Sequence, residues 1–236
     1  MEITLIFNSI QNPFSSQPAG NFVVKTFFEG DMVDEGTSDG SYTPTSGMIS
    51  GQPILITDPI TNGKNSSFAL IFTPQSAIPK GGIIRIYIPQ PFGLRPTVIR
   101  SGGACTESAK YICTDVDVVE RLIIIQNQVL IPANTTTSIV IVGLDNPRNN
   151  KPTAEFKIWT FDSNGISEID SGFNIGTQMT TFWKIDNFEV QPTIEINGAS
   201  SRYNFTISTK TEFVAGDVVH FTFPRQVTLP SDPAQI

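Results

Sequence analysis

Charge is scarce in this chain. Asp, Glu, Lys and Arg make up only 16% of its 236 residues, against roughly a quarter in an ordinary globular protein, which excludes a disordered polyelectrolyte and a charge-laced coiled coil. Cations are scarcer still: 15 Lys and Arg face 22 Asp and Glu, and the net charge of −7 is the wrong sign for gripping a phosphate backbone or an anionic membrane surface. No nucleic-acid partner is expected. Histidine occurs once, at His220, and cysteine twice, at Cys105 and Cys113, so no multi-histidine metal set and no evident Ser-His-Asp or Cys-His arrangement is present. Gly81-Gly82 and Gly102-Gly103 lack the spacing and the following helix of a phosphate-binding loop. No apolar run approaches the roughly 20 residues of a membrane-crossing helix; the longest, Phe68 to Phe72, has the length of a strand core. Membrane insertion by this segment is not expected. The opening Met1 to Asn8 has no basic start, no sustained apolar core and no small-residue cleavage site, and reads as a strand rather than a signal peptide.

What the chain does have is 18 Gly, 17 Pro and 17 Phe among many Thr, Ser, Asn, Ile and Val. That mixture suits short strands joined by turns, because β-branched and aromatic side chains pack well on a pleated surface. Apolar and polar residues alternate in Ile84–Ile88, Phe156–Phe161 and Val219–Phe223, the signature of strands with one buried face. The runs Leu122–Ile125 and Ile139–Val142 do not alternate and read as strands covered on both faces. Turn signals at Pro79–Gly82, Asp145–Pro147, Ser163–Gly165 and Ala215–Asp217 separate the strands. With no helical period anywhere, the fold class is all-β, an immunoglobulin-like β-sandwich, with a closed barrel as the alternative.

The most informative feature is self-similarity. Residues 5–27 match residues 139–161 without a gap: Asn12-Pro13 falls on Asn146-Pro147, Pro18 on Pro152, Phe22 on Phe156 and Thr26-Phe27 on Thr160-Phe161, all at one constant offset. Residues 68–89 match 203–224, with Phe68 on Tyr203, Gly81 on Gly216 and Pro89 on Pro224, at an offset longer by a single insertion. Ile56–Pro59 and Glu189–Pro192 form a weaker third match. A period near 134 is several times that of a solenoid unit, so each repeat is a whole domain in a tandem array. The expected division is residues 1–46 as the late part of one repeat, 47–178 as one complete sandwich, and 179–236 as the early part of the next. The part missing from the outer two corresponds to Arg95–Asn127, which holds both cysteines. In this alignment Phe22 and Phe156 are delivered to the core by a proline-fixed crossing loop, and His220 matches Arg85 at an outward strand position, which argues against a catalytic imidazole.

The block Asn-Pro-x(4)-Pro-x(3)-Phe-x(3)-Thr-Phe, the block Pro79–Pro89 and the cysteine pair between them resemble repeats in very large extracellular proteins of ciliated protists. That resemblance spans nearly the whole chain and implies a secreted, multidomain structural or adhesive surface protein.

Three N-x-Ser/Thr sequons, at Asn65, Asn134 and Asn204, are candidate N-glycosylation sites, and Cys105 and Cys113 are placed to close a short loop as a disulfide, two free thiols being the alternative. Together they point to an extracellular or cell-surface location, and a secreted product without a leader here implies that residue 1 is not its natural start. Acidic residues gather at Asp31, Asp34, Glu35 and Asp39, at Asp162, Glu168 and Asp170, and at Asp115 with Asp117. Ca²⁺ at such loops is one reading, solvated turn carboxylates the other. No catalytic or metal residues are assigned and no cofactor beyond N-linked glycans is expected. Two functions follow. The chain is a non-enzymatic structural subunit of a glycosylated extracellular fibre or coat, its partners being copies of itself assembling head to tail, by strand complementation or as a stretch of a continuous polyprotein. Alternatively it is an adhesin or lectin-like module whose Tyr42, Phe92, Tyr111 and Trp183 form a platform for glycans.

Overall fold

The structure, a computed structural model, describes residues 3–38, 42–63, 65–101, 105, 109–175, 180–182 and 184–229, with the backbone alone at 51–55 and 173–175. Among the described residues the chain is all-β apart from one five-residue helix. It divides into two compact units, Met1–Trp183 and Lys184–Ile236; the expected boundary at 178/179 lies outside the described residues.

The first unit opens with a hairpin, β1 (Val23–Phe28) and β2 (Asp31–Thr37). There follow β3 (Gly47–Asp58), β4 (Asn65–Pro74), β5 (Ile83–Tyr87), β6 (Gly93–Leu94), α1 (Pro96–Arg100), β7 (Tyr111–Asp117), β8 (Leu122–Asn127), β9 (Thr137–Asp145), β10 (Phe156–Phe161) and β11 (Glu168–Ile175). The strands from β3 onward form one curled sheet in the order β6-β9-β4-β3-β11-β10-β5-β8-β7. β3 joins its two halves. Gly47 and Met48 pair in parallel with Asp170 and Ser171 of β11, and Ile54–Asp58 pair antiparallel with Ser67–Ile71 of β4. The halves face each other as in a sandwich: the ring of Phe68 on β4 lies 6.3 Å from that of Phe156 on β10, and Phe92 packs against both at 5.0 and 5.3 Å. Alternate residues fill the space between, including Leu70, Ile84, Ile86, Ile123, Ile139 and Ile158. Each such burial contributes roughly 1.5–3 kcal/mol.

Three strand readings need correction: residues 3–8 of the opening segment, read as a strand, have no strand structure, and two further readings fail. β8 and β9 are not covered on both faces: Ile123 and Ile125, and Ile139 and Ile141, are buried, whereas Leu122, Ile124, Val140 and Val142 are half-buried. Ile124 lies opposite Arg85 on one side and Asp115 on the other, so long polar neighbours partly cover an aliphatic outer face that in sequence looks like core. Residues 219–223, which alternate like a strand, lie in no strand. Among the described residues no ladder partner reaches them, and alternation alone does not satisfy a strand's backbone groups.

Cys105 and Cys113 are joined by a disulfide, both nearly fully buried. Closing a loop across 8 residues is worth about 2.5 kcal/mol by the chain-entropy relation. Cys113→Ser is therefore expected to lower the urea-unfolding free energy of this unit by about that amount.

The junction of β11 with β3 buries a carboxylate. Asp170 has no exposed surface; its Oδ2 accepts the Ser76 N–H at 2.8 Å, and its Oδ1 has no partner. A Cβ on Gly47 would collide with that Oδ1, so only glycine fits there. Burial, against the pull of hydrogen bonds from Ser76 and Gln75, holds the Asp170 carboxyl above the usual carboxylate range. The native state thus binds this proton more tightly than the unfolded chain, so stability is lost as pH rises from the ordinary aspartate value toward the raised native pKa and stays lost above it. Asp170→Asn keeps an acceptor for Ser76 and removes the charge. It is expected to be more stable than the parent at neutral pH, with the difference closing as pH falls toward the ordinary aspartate value of 3.8 in a series of urea titrations.

Candidate functional site

Two apolar surfaces lie outside the nine-stranded core. In the second unit, β12 (Asn187–Pro192) and β13 (Tyr203–Ser208) form a hairpin with Phe188 opposite Ile207 and Val190 opposite Phe205. The two-residue period of a strand puts Phe205 and Ile207 on one face with these partners. Phe221 lies 4.8 Å from Phe205, ring to ring, and Phe223 5.8 Å. Together they line a cleft of about 500 Å³ whose walls include Ile185, Val219 and Val227. An isolated two-stranded hairpin is marginal in water, and its apolar face here has no second layer among the described residues of its unit.

Residues 3–38 present a matching surface. Every residue of β1 and β2 is exposed, Val24 by 59%, as is Phe22 just before them by 65%, and Leu5 and Phe7 are exposed in a stretch without strand structure. The expectation that Phe22 enters a core is therefore wrong for this unit. Its counterpart Phe156 has no exposed surface; Phe156 has β4 and Phe92 to pack against, and Phe22 has nothing equivalent within reach. On the hairpin Lys25 Nζ meets Glu35 Oε1 at 3.1 Å, and Thr26 Oγ1 accepts the Asp34 N–H at 3.1 Å.

Among the described residues the amino-terminal stretch meets the sandwich at the Gly47 end of β3. Ser16 donates its N–H to the Glu168 carbonyl at 2.8 Å, and Pro13 to Ala19 lie against Pro79, Asp162 and Ile169, near the Gly47 end of β3. The chain leaves the sandwich at the other end of β3, where Thr181 pairs with Thr61 and donates its N–H to the Ile60 carbonyl at 3.0 Å. At about 3.3 Å per residue the twelve residues of β3 set these two exits up to about 40 Å apart.

The other sequence candidates fall as follows. Asn65 opens β4, Asn134 sits in a turn at φ 56° and Asn204 lies on β13, all exposed. The Thr136 hydroxyl of the second sequon is 2.9 Å from that of Thr73. Asp31, Asp34 and Glu35 are on strand β2, not in a loop, and Asp39 lies outside the described residues. Glu168 and Asp170 are likewise on a strand, Asp170 buried. Asp115 is held by Arg100, Nε to Oδ1 at 2.8 Å; that hydrogen bond and the one from the Val116 N–H keep its carboxyl below the usual range. Asp117 caps a turn by accepting the N–H groups of Val119 and Glu120. Among the described residues no three His, Cys, Asp or Glu side chains gather as metal ligands. The aromatic platform does not form: Phe92 and Tyr111 are core residues, the Tyr111 hydroxyl lying 2.6 Å from that of Thr137, while Tyr42 is exposed and Trp183 lies outside the described residues. His220 is exposed on the rim of the cleft.

No family model and no curated protein matches this chain. Among the described residues no helix is long and apolar enough to cross a membrane, and the disulfide is compatible with an extracellular location.

Proposed function

We propose that this chain is a non-enzymatic structural module of an extracellular, glycosylated fibre or surface coat, built from immunoglobulin-like sandwich repeats, each a whole domain, and propagating head to tail. The observation that carries the reading is that segments matching each other in sequence pair alike in the backbone. β13 pairs with β12 in the register of β4 with β3: Pro192 opposite Tyr203 corresponds to Thr57 opposite Phe68, and Gln191 opposite Asn204 to Ile56 opposite Ala69, all four displaced by the interval that separates Phe68 from Tyr203. This register replaces the weaker match of Ile56–Pro59 with Glu189–Pro192, which is two residues out. The β1-β2 hairpin repeats β10-β11 in finer detail. Each has a bulge at the same Thr-Phe step, Thr26/Phe27 and Thr160/Phe161. In each, the threonine Oγ1 accepts the N–H of the facing aspartate, Asp34 at 3.1 Å and Asp170 at 3.0 Å.

Head-to-tail growth is supported by two dissimilar apolar surfaces, one on residues 3–38 and one on the second unit. Such a contact is heterologous, and a heterologous contact that does not close on itself yields a filament. Negative-stain electron microscopy of the purified chain tests this: linear particles lengthening with concentration are expected, and uniform monomers at all concentrations contradict it. Saturable, selective binding on a glycan array by such monomers would favour the adhesin reading instead. Glycosylation belongs to the same proposal. Enzymatic deglycosylation of native material is expected to convert Asn65, Asn134 and Asn204 to Asp in peptide mass spectra, and unmodified Asn at all three contradicts a secreted glycoprotein.

A further inference from the structure

From the pairing inside the central sandwich we infer that the cleft of the second unit is filled by residues 3–27 of a second copy of this chain, in a register fixed residue by residue. This rests on the repeat reading above and adds the identity and alignment of the occupant. In the central sandwich β5 pairs antiparallel with β10, placing Ile86 opposite Ile158 and Arg85 opposite Trp159. Carrying β5 onto its sequence match around Phe221, and β10 onto its match in β1, puts Phe221 opposite Val24 and His220 opposite Lys25. Ile86 and Ile158 are buried, whereas Phe221 and Val24 are exposed: the same two positions are core where the partner is present and bare where it is absent.

The other edge carries over in the same way. β4 pairs with β9, Phe68 opposite Ile141 and Leu70 opposite Ile139, all four buried. Their counterparts are Tyr203 opposite Phe7 and Phe205 opposite Leu5. The composite sheet then runs residues 3–7, β13, β12, β2, β1, residues 218–222, with strands from the two chains interleaved. Residues 3–7 and 218–222, which have no ladder partner in their own units, each gain one, so unmet backbone groups and bare apolar faces are resolved together. Asn204 corresponds to Ala69, whose side chain is half-exposed on the outer face, so a glycan there stays outside the joint. A second copy is the occupant because the two bare apolar faces are complementary parts of one repeat and every copy carries one of each.

Lys25 and His220 are exposed and their counterparts face outward, so cysteine at either position leaves both apolar faces intact. Chains carrying Lys25→Cys and separately tagged chains carrying His220→Cys are mixed, oxidised and resolved by mass. The expected product is the mixed disulfide dimer, formed at least tenfold more than from Lys25→Cys with Thr222→Cys, a pair shifted by two residues. If the chains assemble but the matched pair shows no preference over the shifted one, the register is wrong while head-to-tail assembly stands. If the chains sediment as monomers at every concentration and no pair cross-links, both fall. If a bond forms only inside single chains carrying both substitutions, the cleft is closed by its own chain and the proposal is overturned.

Discussion

Phe156→Ala is expected to destabilise the central sandwich by about 3–5 kcal/mol, whereas Phe22→Ala, the same substitution at the position that matches it in sequence, is expected to leave the unfolding of a single chain within about 0.5 kcal/mol of the parent. The difference lies in what surrounds each ring. Phe156 has no exposed surface and packs against Phe68 and Phe92, so its removal opens a cavity lined by two aromatic rings. Phe22 is mostly solvent-exposed, and a side chain already in water loses little on truncation. The cost should appear instead in the proposed assembly, in which Phe22 would take the place of Phe156; a Phe→Ala loss of about 3 kcal/mol there is roughly a hundredfold in the association constant. Urea unfolding of dilute chains and sedimentation of concentrated ones separate the two effects. Equal loss of monomer stability in both variants would mean that Phe22 is already packed in the single chain.

Phe221→Asp is expected to abolish assembly while leaving the central sandwich intact. In one chain Phe221 is exposed and contributes an edge to the cleft, so a carboxylate there stays hydrated and costs under about 1 kcal/mol. In the completed joint the same carboxylate would lie between Phe205 and an incoming Val24 with no cation to meet it. An unpaired charge buried among apolar groups costs several kcal/mol, and about 4 kcal/mol already corresponds to a thousandfold weaker association. The melting transition of the first unit is expected to be unchanged, because Phe221 belongs to the second compact unit. Assembly at parental strength by Phe221→Asp would place the growing contact elsewhere.

The strands were legible in sequence where one face is apolar and the other polar. The alternation in Ile84–Ile88 and Phe156–Phe161 is the inward and outward alternation of β5 and β10, and the Asn-Pro and Pro-Lys-Gly-Gly signals mark their turns. The same alternation misled at residues 219–223, because a hydrophobic period reports which face can be buried and carries no information on whether a neighbour is there to bury it. Phe22 failed for that reason as well. The apolar stretches at β8 and β9 were over-read because aliphatic residues tolerate half-exposure beside long polar side chains. The cleft had a visible signal, Phe188 with Val190 and Phe205 with Ile207 at strand spacing, but its lining joins two strands and a separate segment, so no single stretch announces it. Nothing in sequence forecast the approach of Gly47 to Asp170, since neither residue reveals a contact made so far along the chain.

The most direct test is a cryo-electron microscopy reconstruction of the assembled chain at side-chain resolution. It is expected to show, at each joint, residues 218–222 of one copy hydrogen-bonded to β1 of the next, with Val24 against Phe221 and Leu5 against Phe205 in a sandwich superimposable on residues 47–92 and 137–175. A joint in which β1 and residues 218–222 remain unpaired, or in which the matched segments occupy unrelated places, contradicts the reading of this chain as a slice of a repeating β array.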